Sequence, residues 1–399
     1  MKKKFLLTFI ALGIVSLLAD ITYEGGRSIS GAYLNLLRAP PVSVGVLALG
    51  ELLSYLMRLL GGIIAHKVRS GLYYWFLVFL GYSTNLAIPL LSITGRWEFA
   101  LGLYLIERLG KGLRAPARDV IISEVTEGMG RGKGFGIHEV MDQVGAILGP
   151  TIVGVSIATQ QNVLVGYRLS FSILGIPAIL ALVSLFIAYR SYPSPRAVTI
   201  TKPSTGPKLS RSYWLYTIAS LFVVLGFLHW GLITYHAQNL SREGVIEDWE
   251  VPILYLIAMF IDALVALPIG FLYDRIGLKS MTIVPLTALP ITPLLFGASG
   301  KYSLYLTAMT WGLTMGMIET IMRASIADLA PPEIRSLAYG VYSSLLGLLW
   351  FIGSTITSYL YQVKVYSAII ILSIGAELIA LTIYALLLKY STHSIKASL

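Results

Sequence analysis

Between Glu107 and Asp119 the chain reads ERLGKGLRAPARD, six charged residues and a proline set between two apolar runs. Glu107, Lys111, Arg114 and Arg118 recur there at i, i+4, i+7 and i+11, the spacing of one helical stripe. A second set, Asp20, Glu24 and Arg27, follows the same helical spacing near the N-terminus. Carboxylates beside arginines at such spacing suit proton exchange, because an arginine favours the ionised acid and closure against water disfavours it. The plainer reading is that Asp20, Glu24 and Arg27 neutralise one another along one helix face.

Other chemistry is thinly represented. His229 and His236 stand seven apart and could ligate a metal, but no third ligand has diagnostic spacing, so packing or cavity lining is the preferred reading and no metal is expected. The sequence holds no H-E-x-x-H, no G-x-S-x-G and no P-loop, so it is not expected to be an enzyme. With no cysteine it has neither disulfides nor thiolate chemistry.

The elements that must position these residues follow from composition. Of 399 residues 56% are hydrophobic and 13% charged, and the mean hydropathy is +0.76. That is more apolar surface than a soluble fold can hide, which makes the chain a polytopic membrane protein. Lys2 to Lys4 precede an apolar stretch with no small-residue cleavage site behind a short core, so the first helix is expected to be retained.

A helical span needs about 20 apolar residues. Twelve are read, at 5–36, 42–65, 72–94, 97–123, 134–159, 165–189, 212–240, 250–273, 278–298, 302–329, 336–360 and 364–389. On this division the even-numbered connections and the termini hold seventeen Lys and Arg, the opposite face six, and the spans seven. Both termini are therefore expected on the cytoplasmic side of a plasma membrane. The net charge of +10 is accounted for without a nucleic-acid partner. Residues 191–212 read as a cytoplasmic linker between two six-helix halves, 1–190 and 213–399.

The halves repeat. Gly62 aligns with Gly270 at an offset of 208, Arg118 with Arg323 at 205, and Gly136 and Gly149 with Gly340 and Gly353 at 204. Parallel six-helix repeats of this kind build a large class of secondary transporters. GFLYDRIGLK, with Gly270, Asp274, Arg275 and Gly277, resembles the G-x-x-x-D-R-x-G-x-K gating loop of the major facilitator superfamily. The first-half copy departs from it, with His66 in the aspartate position. Arg108 and Gly112 resemble that family's R-x-x-x-G motif. Gly145, Gly149 and Pro150 resemble its fifth-helix motif associated with antiporters and exporters, and otherwise read as a close-packing surface. More narrowly, the chain is similar to a prokaryotic permease and efflux subgroup. The resemblance covers essentially the whole sequence and implies the major facilitator fold, an all-α architecture of two six-helix halves moving by alternating access.

If 107–119 were a loop, Trp97 to Ile106 would reach only about 15 Å of a ~30 Å core. The stretch is therefore expected as helix, kinked near Pro116. Equal depth suggests that Arg114 pairs with Asp142 and Arg118 with Glu139 as structural ion pairs. Asp20 is expected to accept the coupling proton, with Arg108 as its modulator. Tyr23, Glu24, Arg27, Glu51, Glu107, Lys111, His229, Trp230, Asp262 and Trp311 are expected in or beside the substrate cavity. Glu319 and Glu377 lie inside spans ten and twelve with no assignable partner.

The expected function is proton-coupled export of a small organic solute by a monomer in the lipid bilayer, with no cofactor beyond the proton. Uptake of an organic anion, export of a divalent metal, and lipid flipping remain alternatives on the same fold.

Overall fold

Every regular element among the described residues is a helix, arranged as twelve spans. The computed structural model describes residues 2–68, 70–128, 130–195, 209–298, 300–331 and 334–397, with side chains except at 2, 65–68, 131–132, 323, 336 and 390–397. Most of the expected linker, 196–208, and the side chains of His66 and Arg323 therefore lie outside what is described.

Span one runs over Lys2–Ser28 and continues through Ser30–Leu36. Span two joins Val42–Leu47 to Leu49–Val68. Span three covers Gly71–Ile93 as a helix ending in short turns. Spans four, five and six are Trp97–Val125, Arg131–Ala158 and Val163–Ser191. Span seven is two helices, Arg211–Gly226 and Trp230–Arg242, and span eight is Glu250–Ile276. Span nine is a run of short turns from Gly277–Thr282 to Pro293–Gly297. Span ten joins Lys301–Met317 to Arg323–Leu329 through a π-helical turn, Ile318–Met322. Spans eleven and twelve are Arg335–Gln362 and Tyr366–Ala397.

Hydropathy and length alone mark nine membrane-crossing stretches among the described residues, one of which, Glu250–Gly297, holds both spans eight and nine. Span ten is not among them, nor is span four, in which eight acidic and basic side chains fall between Trp97 and Val125. Span four is nonetheless an unbroken helix of 29 residues that passes through Pro116. Span seven departs from the expected single helix: it breaks after Gly226 and resumes at Trp230.

The chain packs as two compact units. The first comprises Met1–Ala39, Leu49–Thr201 and Thr234–Leu256, the second Pro40–Ala48, Lys202–Ile233 and Ile257–Leu399.

In the first unit span one lies against spans five and six, and span four lies against spans two and three. Glycine makes these approaches possible. A Cβ on Gly112 would stand 2.2 Å from the Ser54 carbonyl oxygen, and one on Gly61 would stand 2.7 Å from that of Leu113. Small residues let backbones approach this closely, which supplies the packing that lipid-exposed helices otherwise lack.

In the second unit span seven packs on spans eleven and twelve. Gly312 approaches the Ala258 carbonyl and Gly353 that of Leu225 in the same manner. At the end of span eight Gly277 takes φ +58°, a left-handed conformation that a side chain would strain.

Candidate functional site

Span four brings its charged stripe into the interior of the first unit. Glu107 and Arg114 are buried there, and Arg108 and Lys111 reach span one. Arg108 fits because Gly50 of span two leaves room: a Cβ at that position would stand 2.7 Å from the Arg108 Cγ. The guanidinium forms an ion pair with Glu51.

Tyr23 is the centre of the arrangement. The Lys111 ammonium lies 4.1 Å from its ring centroid, the Arg108 guanidinium 4.8 Å and the Arg27 guanidinium 6.0 Å. Cations over a ring face are attracted by its quadrupole, and more so where water is excluded. Glu24, one residue on, is the acidic hub. Its Oε2 accepts a 2.6 Å hydrogen bond from the Tyr255 hydroxyl and lies 3.7 Å from Arg27, while Oε1 lies 3.9 Å from Lys111.

Asp20 lies one turn before Glu24 and is half-buried. It has no hydrogen bond or ion pair among the described residues. Its seat is made by span five: a Cβ on Gly145 would stand 2.5 Å from the Leu17 carbonyl oxygen and 3.0 Å from the Asp20 Cβ. Gly149 approaches the Ile21 carbonyl oxygen and the Gly25 nitrogen in the same way, so these glycines press span five onto span one. Pro150 follows them within the helix.

Several expected pairings are corrected. Arg108 goes to Glu51 and not to Asp20. Arg114 does not meet Asp142. It donates to the Gly81 carbonyl at 3.0 Å and to Asn85 Oδ1 at 3.2 Å, stacks 4.1 Å from the Tyr82 ring, and lies 3.9 Å from Glu107. Arg118 bonds its neighbour Asp119 at 2.9 Å, while Glu139 is exposed. Asp142 lies 4.0 Å from His138, whose Nε2 meets the Ser16 hydroxyl at 2.9 Å. Equal depth placed these groups at one level, but the rotation of span four turns Arg114 toward span three. Asn85 and Tyr82, which receive it, carry no charge and gave no sequence signal. The small residue Gly81 opposite Arg114 was the available clue.

In the second unit Trp230 and Trp311, expected to line a cavity, are wholly buried. Their centroids are 4.9 Å apart, Phe227 stacks on Trp311 at 5.4 Å, and the Trp311 Nε1 donates to the Leu228 carbonyl at 2.9 Å. Trp311 thereby meets one of the carbonyls freed at the break in span seven, where donors are needed. His229 accepts from the Gly231 amide through Nδ1 at 3.1 Å. Asp262 is buried against Gly316, where a Cβ would stand 2.6 Å from Oδ1.

In the motif after span eight, Gly270, Asp274 and Arg275 belong to the helix, Gly277 begins the turn, and Asp274 and Arg275 are exposed. The Tyr273 hydroxyl beside them donates to Asp328 Oδ2 at 2.6 Å, a tie between spans eight and ten that the motif did not announce. No group of three or more His, Asp or Glu side chains among the described residues could hold a metal ion.

Twelve helical spans with buried charges held around tyrosine define a polytopic membrane transporter. The family model described as Major Facilitator Superfamily matches residues 5–245 and 246–398, and the chain belongs to that family of secondary transporters. An uncharacterized protein of Mycobacterium tuberculosis is 35% identical over 380 residues, covering 92% of this chain and 90% of that protein. An uncharacterized MFS-type transporter of Methanocaldococcus jannaschii is 28% identical over 361 residues, with 88% of each covered. Among solved structures, an aspartate-to-alanine mutant of the nucleoside transporter NupG superposes with a TM-score of 0.76 at 14% identity, covering 95% of this chain and 99% of that one. The peptide transporter POT in complex with sulfate gives 0.71 at 14% identity, covering 97% and 94%.

Proposed function

We propose that this transporter exports a small organic solute in exchange for protons, with Asp20 as the proton acceptor and Lys111, Glu24, Arg108 and Glu51 setting its surroundings. The observation that carries this reading is Asp20 itself: a half-buried carboxylate inside a span with no hydrogen bond or ion pair among the described residues. Intramembrane acids that lack a structural partner are expected to work on ions or protons. The glycines of span five that seat Asp20 belong to the motif associated with antiport, which supports the direction. Nucleoside and peptide transporters of similar fold support an organic cargo. The distribution of Lys and Arg supports cytoplasmic termini in a plasma membrane, and the chain is read as working as a monomer.

A second reading, uptake of an organic anion, is favoured by Arg108. Its Nε and Nη1 have no hydrogen-bond partner among the described residues although both are buried. Asp20, Glu24, Glu51 and Glu107 balance Arg27, Arg108, Lys111 and Arg114 only while Asp20 is ionised, so a proton there leaves one positive charge in excess.

The test is reconstitution in liposomes with a trapped pH-sensitive dye and a panel of organic solutes. Solute-evoked proton flux is expected in the wild type and lost in Asp20→Asn. Flux that survives that substitution sinks the assignment of Asp20. The sign of the flux relative to the solute gradient separates exchange from co-transport.

A further inference from the structure

Glu377 stands near the middle of span twelve, fully buried, and neither of its oxygens has a hydrogen-bond partner among the described residues. It belongs to the second unit and takes no part in the Asp20 cluster. Span twelve packs on spans seven, nine and eleven. The basic residues Arg211, Arg242, Lys279 and Arg335 of those elements stand at or near their ends. Glu377 has no ion pair among the described residues, and Tyr384 follows it two turns along the same helix.

What Glu377 does face is the break in span seven. A Cβ on Gly226, the last residue of the first half-helix, would stand 3.4 Å from the Glu377 Oε1 and 3.0 Å from the Ala376 Cβ. A half-helix that ends inside the membrane leaves carbonyls needing donors and gathers partial negative charge at that end. Two side chains already answer this: Ser373 Oγ donates to the Gly226 carbonyl at 2.8 Å, and Trp311 Nε1 donates to that of Leu228 at 2.9 Å. Glu377 follows Ser373 by one turn on the same face of span twelve. An ionised carboxylate here would bring negative charge to a negative helix end with no cation or donor among the described residues to meet it. A neutral acid would instead bring no charge to that end and an O–H donor in place of a second acceptor.

We propose that Glu377 is a second proton-binding site, a carboxylic acid seated against the break in span seven and separate from Asp20. The proton is the ligand that fits, because the side chain is fully buried and no group of three or more His, Asp or Glu side chains among the described residues could hold a metal ion there. Release of this proton would set a carboxylate against the negative end of the first half-helix and loosen the contact of span twelve with it. Protonation of Glu377 thus keeps span twelve seated against the end of the first half-helix of span seven.

Infrared difference spectroscopy on the purified full-length protein tests this without knowledge of the cargo. At neutral pH the wild type should show the carbonyl-stretch band of a buried protonated carboxylic acid, shifted slowly in D2O, and Glu377→Gln should lose that band. Identical spectra in that region overturn the proposal. Asp20→Asn, measured in the same way, must leave the Glu377 band in place, so failure here and failure of the Asp20 reading are distinguishable. Should Glu377→Gln fail to fold, alkaline titration of the wild type serves instead: one buried acid must ionise together with a fall in thermal stability. A stability that depends on sodium rather than on pH also overturns the proposal.

Discussion

The Tyr255 hydroxyl donates a 2.6 Å hydrogen bond to Oε2 of Glu24, joining the first turns of span eight to the acidic hub of span one. Both residues are buried, and the same carboxylate faces Arg27 at 3.7 Å and Lys111 at 3.9 Å. The phenol thus gives Glu24 its shortest contact, with the two cations at ion-pair range.

Tyr255→Phe removes that donor and nothing else of the ring. A hydrogen bond to a charged group contributes about 1.5–3 kcal/mol, so the variant should unfold at lower temperature in detergent. An unchanged melting curve would show that Arg27 and Lys111 suffice for Glu24.

Glu51→Gln should cost more than Tyr255→Phe, because it leaves the Arg108 guanidinium buried without its ion-pair partner. Breaking one side of a buried pair costs about 3–5 kcal/mol, whereas removing both is far milder. The double variant Glu51→Gln/Arg108→Gln should therefore recover much of the lost stability. Simple additivity in that double-mutant cycle argues against a pair.

Asp20→Asn is expected to leave thermal stability within about 0.5 kcal/mol of the wild type, since Asp20 has no partner among the described residues to lose. Loss of transport with an intact melting curve is the signature expected of a proton acceptor. A large loss of stability would assign Asp20 a structural role instead.

Gly112→Ala should be poorly tolerated, because its Cβ would fall 2.2 Å from the Ser54 carbonyl oxygen and must push spans two and four apart. Overpacking of this kind costs about 1–3 kcal/mol. Gly136→Ala is the control, as nothing among the described residues lies within 4 Å of a Cβ there. Expression yield and melting temperature should separate the two, and equal behaviour would refute the close approach.

Much of the architecture was legible before any coordinates. The expected spans fall within a few residues of the helices found, except that span twelve runs on to Ala397, and span four is legible from its charge stripe although its hydropathy hides it. The residues gathered around Tyr23 were legible in part, since Glu24 and Arg27 follow one helical stripe and Lys111 another. Their partners were not. Arg108 was matched to Asp20 by depth and meets Glu51. Arg114 was matched to Asp142 and meets Gly81, Asn85 and Tyr82. The break in span seven was equally hidden, because the stretch around Gly226 is apolar on both sides and contains no proline.

The sequence by itself determined the membrane class, the number and bounds of the spans, the repeat, and the fact that charges lie inside. Those follow from hydropathy and from a fixed rise of about 1.5 Å per residue, which sets the depth of every side chain along its own helix. Only the tertiary structure decided which charges meet, because a partner depends on how far each helix is rotated toward its neighbour. That rotation is set by close approaches at Gly50, Gly81, Gly112 and Gly145, where a missing Cβ lets another element's atoms enter. Among the described residues it left Asp20 unpaired beside Gly145 of span five, and it set Glu377 against the broken end of span seven.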